Sequence, residues 1–201
     1  MDRYTYEREA LAAGYGLVCG CDEAGAGPLA GPVYAAAVIL PLGLDVPGLD
    51  DSKKLTAKKR ESLFPFIQEQ ALACAVAWVD AAEIDATDIL SARMRAMQLA
   101  IDGLPVHPDF ALIDGNRDRG RTSSITVPHR CIVKGDSLSA SVAAASVLAK
   151  VSRDRYMEQM AERYPEYEFE RHKGYGTKRH YELLRRYGPC PIHRRTFLKK
   201  L

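Results

Sequence analysis

Leu17-Val18-Cys19-Gly20-Cys21-Asp22-Glu23-Ala24-Gly25-Ala26-Gly27-Pro28 begins with small and apolar residues and runs into two adjacent acids and a glycine-rich turn. Leu17 to Cys21 reads as a strand. The glycines and the proline mark a tight turn where a ligand can approach the backbone closely. Val33 to Leu40 is a second apolar run, so the two strands form a hairpin-like unit with the Gly-rich loop between them.

Outward from this unit, Tyr4 to Ala13 reads as a short helix, and Thr56 is a natural N-cap for a helix from Ala57 to Gln70. Cys74 to Val79 reads as a strand. Asp85 to Asp102 carries Ile89, Leu90, Met94, Met97 and Ile101 at amphipathic-helix spacing. Phe110 to Ile113 is a short buried strand ending at Asp114-Gly115-Asn116, and Ser124 to Val127 and Cys131 to Val133 also read as strands. Gly135-Asp136 opens a long helix to Arg163, apolar nearly all round as far as Ala149, the pattern of a helix covered on most sides. Beyond Pro165 the chain turns basic and aromatic, with a helix at Lys178 to Tyr187. The expected class is α/β, a mixed central sheet flanked by helices, with residues 1–163 as the main unit and 164–201 as a small helical extension of it.

A chain of 201 residues buries one sizeable core, and a second full domain would crowd it. No apolar run approaches the roughly 20 residues of a spanning helix, and the N-terminus lacks the pattern of a secretory signal, so a cytoplasmic protein without membrane contact is expected. The five cysteines are odd in number and never spaced C-x-x-C, which argues against a disulfide framework and against a structural zinc and leaves them as small buried hydrophobes. The charge is uneven. Residues 151–201 carry 13 Lys and Arg against 7 Asp and Glu, while the first 150 carry 15 against 19. That division suits a protein holding a polyanion with one region and cations with another, although a solvated basic face reads the same way.

The acids carry the chemistry. Asp22 and Glu23 end one apolar strand and Asp114 ends another, where open α/β sheets usually place their sites. Asp154 follows Val147 and Val151 on one face of the long helix, from which an acid can point back at the sheet. Convergent carboxylates repel one another unless cations sit among them, and an all-oxygen set suits Mg²⁺ or Mn²⁺ in a two-metal phosphodiester hydrolase, with ions roughly 3.5–4 Å apart. Each acid also has a plainer reading: Asp114-Gly115 as a turn, Asp154 as a charge where a helix surfaces, Asp22-Glu23 as solvated residues at a strand end.

Taken in order, Cys21 to Val33, Asp51-Ser52-Lys53-Lys54-Leu55, Leu112 to Asn116, Lys134-Gly135-Asp136, Ala143 to Asp154 and His172 to Thr177 resemble the corresponding blocks of bacterial ribonuclease HII. The resemblance implies a ribonuclease H-like fold and an endonuclease acting on RNA–DNA hybrids and on single ribonucleotides embedded in DNA. Cleavage on the 5′ side would leave a 3′-hydroxyl and a 5′-phosphate. It further implies Asp22, Glu23, Asp114 and Asp154 as the catalytic, metal-binding set, and Tyr175 as the aromatic that packs on the sugar at the RNA–DNA junction. A flat apolar ring suits a deoxyribose lacking the 2′-hydroxyl.

Gly25-Ala26-Gly27 matches the family's Gly-Arg-Gly segment, whose backbone reads the ribose 2′-hydroxyl. Ala26 stands where the family has arginine, which implies weakened substrate binding with folding and metal binding intact. Lys53, Lys134 and Lys173 lie inside matching blocks as phosphate contacts, a role without sequence readout. Arg194 and Arg195 either do the same or solvate the tail, and His172 and His193 read as surface or phosphate-side residues. A monomer is expected. Two other functions stay open: a structure-specific DNA nuclease such as a junction resolvase, and a non-catalytic hybrid binder. The absence of Gly-x-x-x-x-Gly-Lys-Ser/Thr argues against a P-loop.

Overall fold

The computed structural model describes residues 2–199; Met1, Lys200 and Leu201, at the outer ends of the two expected regions, lie outside the described residues. In chain order the elements are α1 (Thr5–Ala12), β1 (Val18–Ala24), β2 (Val33–Ile39), α2 (Ala57–Gln70), β3 (Ala73–Val79), α3 (Ala81–Ala86), α4 (Ile89–Asp102), β4 (Phe110–Asp114), β5 (His129–Ile132), α5 (Gly135–Leu138), α6 (Ala140–Arg163), α7 (Phe169–His172) and α8 (Lys178–Tyr187). The strands form one sheet in the order β3-β2-β1-β4-β5. β1 and β2 are antiparallel, as are β2 and β3, whereas β1, β4 and β5 run parallel. This is the mixed sheet flanked by helices that the sequence leads one to expect.

Both faces of the sheet are covered. Cys19, Cys21, Ala111 and Ile113 project to the face that packs on Met94, Met97 and Ile101 of α4. Ala36 and Val38 project to the other face, against Ala144, Leu148 and Val151 of α6 and Leu63 and Ile67 of α2. That double cover explains why all seven residues of β2 are buried and why they read as a continuous apolar run. The small side chains of α6 let it lie close to β1. At Gly20 a Cβ would stand 2.2 Å from the backbone carbon of Ser141.

Three expected elements differ. The helix expected over Asp85–Asp102 is two, α3 and α4, because the Asp88 carboxylate caps α4 by accepting from the Ser91 amide at 2.9 Å. The helix expected from Gly135 breaks at Ser139, whose hydroxyl oxygen accepts from the Val142 amide at 3.2 Å and starts α6 afresh. That hydroxyl donates to the buried Glu7 carboxylate at 2.6 Å. Ser124–Val127 is no strand; the segment joining β4 to β5 makes an isolated bridge between Arg119 and Ser124, and β5 itself begins at His129.

The C-terminal region is woven into the Gly-rich loop. Leu29 N–H donates to the Gly174 carbonyl, Gly31 N–H to Ile192 and Arg194 N–H to Leu29, each at 2.8 Å. Behind these bonds Phe169, Tyr167, Leu183 and Leu184 pack with Leu29, Ala30 and Met157 in a core of their own.

Candidate active site

β1 runs through Asp22 and Glu23 to Ala24, so both acids sit within a strand rather than beyond its end. Alternation sends Cys21 to the α4 face and Asp22 to the α6 face. In β4, Ile113 likewise faces α4, and Asp114 the opposite way. Gly135 N–H donates to Asp114 Oδ1 at 2.7 Å and brings the start of α5 over the strand end. The next residue is Asp136.

Carboxylate oxygens of Asp22, Asp114 and Asp136 all lie within 4.8 Å of one another. The three acids thus gather at the C-terminal ends of the parallel strands β1, β4 and β5, where an α/β sheet places its chemistry. Asp136 lies outside the four acids that the resemblance implies, and its signal in the sequence is a short acid directly after a glycine at a helix start.

Asp154 stands apart from this cluster. Its oxygens face Lys150 Nζ at 2.7 Å and Arg60 at 3.7 Å, and it is absent from the converging set. The face it shares with Val147 and Val151 exists, but there the carboxylate turns to Lys150 of its own helix and Arg60 of α2. Glu23 reaches toward α4, where Oε1 pairs with Arg93 at 2.8 Å. Its Oε2 is buried and has no partner among the described residues.

The cluster is electrostatically unfinished. Burial, with the charges of Glu23 and Asp114, holds the Asp22 carboxyl well above its usual range. Burial, Asp114 and Asp51 push Asp136 up to about 6. The near cation is Lys53, whose Nζ lies 3.8 Å from Asp136 Oδ2 on a largely exposed side chain. Acids in this condition, beside an orphaned carboxylate oxygen of Glu23, fit hard divalent cations with oxygen preference.

The Gly-rich loop is held from behind by two fully buried arginines that sequence reasoning missed as structural parts. Arg194 donates to the carbonyls of Gly31, Ala26 and Gly25 at 2.9, 2.9 and 2.6 Å. It is therefore neither a phosphate contact nor a solvated tail residue. Arg153 donates to Pro32, Ala30 and Lys173 at 3.1, 3.0 and 3.0 Å. Gly25 has φ +94°, and a Cβ there would fall 2.0 Å from Arg153 Nε, so glycine is required on both grounds. With the carbonyls drawn inward, the amides of Gly25, Ala26 and Gly27 donate to no described residue.

Tyr175 stands exposed at the same edge, its ring centroid 5.8 Å from the Arg153 guanidinium. Lys134 is exposed in a left-handed conformation (φ 60°) next to Gly135, and Lys173 Nζ pairs with Glu158 at 2.8 Å. His172, His180 and His193 are buried, not at the surface. His180 and His193 share a 3.0 Å contact between their Nε2 atoms, and His180 Nδ1 lies 2.9 Å from the Tyr175 carbonyl.

Acids gathered at one end of a mixed sheet define a candidate site for hard divalent cations. The family model for ribonuclease HII matches residues 19–200. The ribonuclease HII of Caldicellulosiruptor bescii is 50% identical over 198 residues, covering 98% of this chain and 94% of that one. The Idiomarina loihiensis ribonuclease HII is 55% identical over 181 residues, covering 90% and 95%. Among solved structures, ribonuclease H2 of Pyrococcus horikoshii superposes with a TM-score of 0.73 at 26% identity, covering 90% of this chain and 93% of that one. Ribonuclease HII of Archaeoglobus fulgidus, solved in a complex with PCNA, gives 0.69 at 26% identity, covering 89% and 94%. The chain belongs to the ribonuclease HII family, and its activity is that of a ribonuclease H endonuclease. No helix among the described residues is long and apolar enough to cross a membrane.

Proposed function

We propose that the protein hydrolyses the phosphodiester 5′ to ribonucleotides, in RNA–DNA hybrids and at single ribonucleotides within DNA, leaving a 3′-hydroxyl and a 5′-phosphate. Asp22, Asp114 and Asp136, with Glu23 beside them, hold Mg²⁺ or Mn²⁺. The observation that carries the reading is the convergence of three acids from three separate segments within 4.8 Å. Bound there, two such cations would supply the charge stabilisation that cleavage of a phosphodiester needs.

The protein's own groups do the rest. The amides of Gly25, Ala26 and Gly27 are unbonded within the described residues, and those on the partly exposed Ala26 and the exposed Gly27 are available to a ribose 2′-hydroxyl, a group that distinguishes RNA from DNA. The Tyr175 ring takes the adjoining deoxyribose. Lys53 and Lys134 flank the acids and meet phosphates, and Lys173 joins them by exchanging Glu158 for a phosphate. Such contacts give affinity without sequence preference. Ala26 leaves this loop without the guanidinium of the family's arginine, and activity is reduced in consequence. The protein works in the cytoplasm as a monomer.

The test compares an all-DNA duplex with one carrying a single ribonucleotide, with Mg²⁺ and without, and maps the product ends. Cleavage 5′ to the ribonucleotide only, and only with Mg²⁺, is expected. Equal cutting of the all-DNA duplex contradicts the reading. Ala26→Arg raises turnover; an unaltered rate removes the role assigned to that position.

A further inference from the structure

We propose that Asp118, His129 and Cys131 form a second cation site, of different chemistry from the acid cluster, for a thiophilic ion such as Zn²⁺. One donor atom from each lies within 4.8 Å of the others. His129 and Cys131 are two residues apart in β5 and so share a face of the sheet, and Asp118 comes from the segment that joins β4 to β5. Cys131 packs at the α4 side with Ile113, while Asp114 faces the other way, so the two sites occupy opposite faces.

The imidazole is set up as a ligand. Nδ1 lies 2.7 Å from the Val127 carbonyl, an acceptor, which fixes the ring proton on Nδ1. Metal-binding histidines are held by such a bond at the second nitrogen. Nε2 lies 3.1 Å from Asp118 Oδ2, the separation of an imidazolium–carboxylate pair or, for the neutral ring, of two ligand atoms that an ion could share. Either a proton or a metal ion resolves that contact. A proton makes a simple imidazolium–carboxylate pair and gives the neighbouring thiol nothing to do. A metal ion uses all three side chains.

The donor set selects the ion. A nitrogen, a sulfur and one carboxylate suit Zn²⁺ and other borderline-soft ions and disfavour Mg²⁺, the reverse of the all-oxygen cluster. Asp118 Oδ1 faces Arg119 at 3.9 Å, which leaves Oδ2 for the site. All three residues are partly exposed, so an ion can reach them from solvent. Burial and Asp118 raise the Cys131 thiol, so binding releases its proton to solvent. A bound ion would tie the 115–128 segment, with its exposed Arg117, Arg119 and Arg121, to the edge strand.

Co²⁺ is the probe, added to the intact protein with Mg²⁺ in excess. One equivalent should give intense visible bands and a near-ultraviolet thiolate-to-cobalt band, both removed by Zn²⁺. The thiolate band should vanish in Cys131→Ser. Affinity should fall at least about tenfold in His129→Gln, and Asp136→Asn should change neither. Zn²⁺ should also slow tryptic cutting at Arg117, Arg119 and Arg121. Absence of the thiolate band in the unaltered protein overturns the site, as does a band that survives in Cys131→Ser. Loss of binding in Asp136→Asn overturns it too, by assigning the ion to the acid cluster.

Discussion

Gly135 N–H donates to Asp114 Oδ1 at 2.7 Å, and the residue after that glycine is Asp136. One backbone bond therefore positions the acid of β4 and delivers a third carboxylate beside it. A Cβ at Gly135 would lie 3.3 Å from Asp114 Oδ1 and from Val142 Cγ1, tighter than a relaxed contact. Gly135→Ala should keep the fold but displace the Asp114 carboxylate by a few tenths of an ångström. About a tenfold fall in kcat is expected with little change in melting temperature, since small misplacements in a catalytic set are costly. Steady-state kinetics beside a thermal melt checks this.

Arg194 bonds three carbonyls of the Gly-rich loop from inside the protein. Arg194→Ala leaves those acceptors without partners, at about 1–3 kcal/mol each where burial is complete. A stability loss of at least about 3 kcal/mol is expected, readable as a drop in the denaturation midpoint. Arg194→Lys should recover only part of it, because a single ammonium lacks the planar fork that spans the three oxygens.

The buried histidines give a pH dependence. Burial lowers His180 and His193 from 6.5 to about 4, so the folded protein keeps both neutral. As pH falls below 6.5 the unfolded chain takes up protons that the folded one refuses. Their contribution is fully present above about pH 6.5 and is lost progressively as pH falls toward 4. Melting temperature measured from pH 7.5 to 4 should decline across that window, and His193→Gln should flatten the decline.

The sheet and most of its helices were legible because their signals are local. Val33–Ile39 is apolar throughout, Thr56 caps α2 through the Lys59 amide, and α8 spans Lys178–Tyr187 as its pattern suggests. The breaks at Asp88 and Ser139 were not, since a capping residue inside an otherwise helical pattern looks like one more polar position. The site was half legible. Asp22 and Asp114 announce themselves where apolar strands run into acids, whereas whether Asp136 or Asp154 lies beside them depends on which way α6 faces. The pairing of Asp154 with Lys150 and with Arg60 of α2 shows that direction. The inward arginines were invisible for a related reason: a charged side chain is read as exposed until carbonyls are found to enclose it.

Close packing of β1 on α6 makes its own prediction. At Gly20 a Cβ would meet Ser141 and Val142 backbone at 2.2 Å, which no side-chain rotation relieves. Gly20→Ala should cost at least about 3 kcal/mol, at the upper end for overpacking, and shift the sheet from the helix. A chain that melts as the unaltered protein does would contradict the packing described.

Repulsion among the acids should be visible without cations. In EDTA, Asp136→Asn removes a charge held beside Asp22 and Asp114, so its melting temperature should exceed that of the unaltered protein. Saturating Mg²⁺ should narrow or reverse the difference, because binding to the folded state stabilises it. Equal melting in EDTA would mean that the carboxylates do not feel one another.

The most direct measurement is cleavage of a single-ribonucleotide duplex by four variants, Asp22→Asn, Asp114→Asn, Asp136→Asn and Asp154→Asn, over a Mg²⁺ titration. The converging set predicts that the first three each lose about 10²–10³-fold in kcat/KM, equivalent to several kcal/mol of transition-state stabilisation. Asp154→Asn, paired with Lys150 and Arg60, should stay within about tenfold. Near-normal cleavage by Asp136→Asn together with an inactive Asp154→Asn would contradict the account.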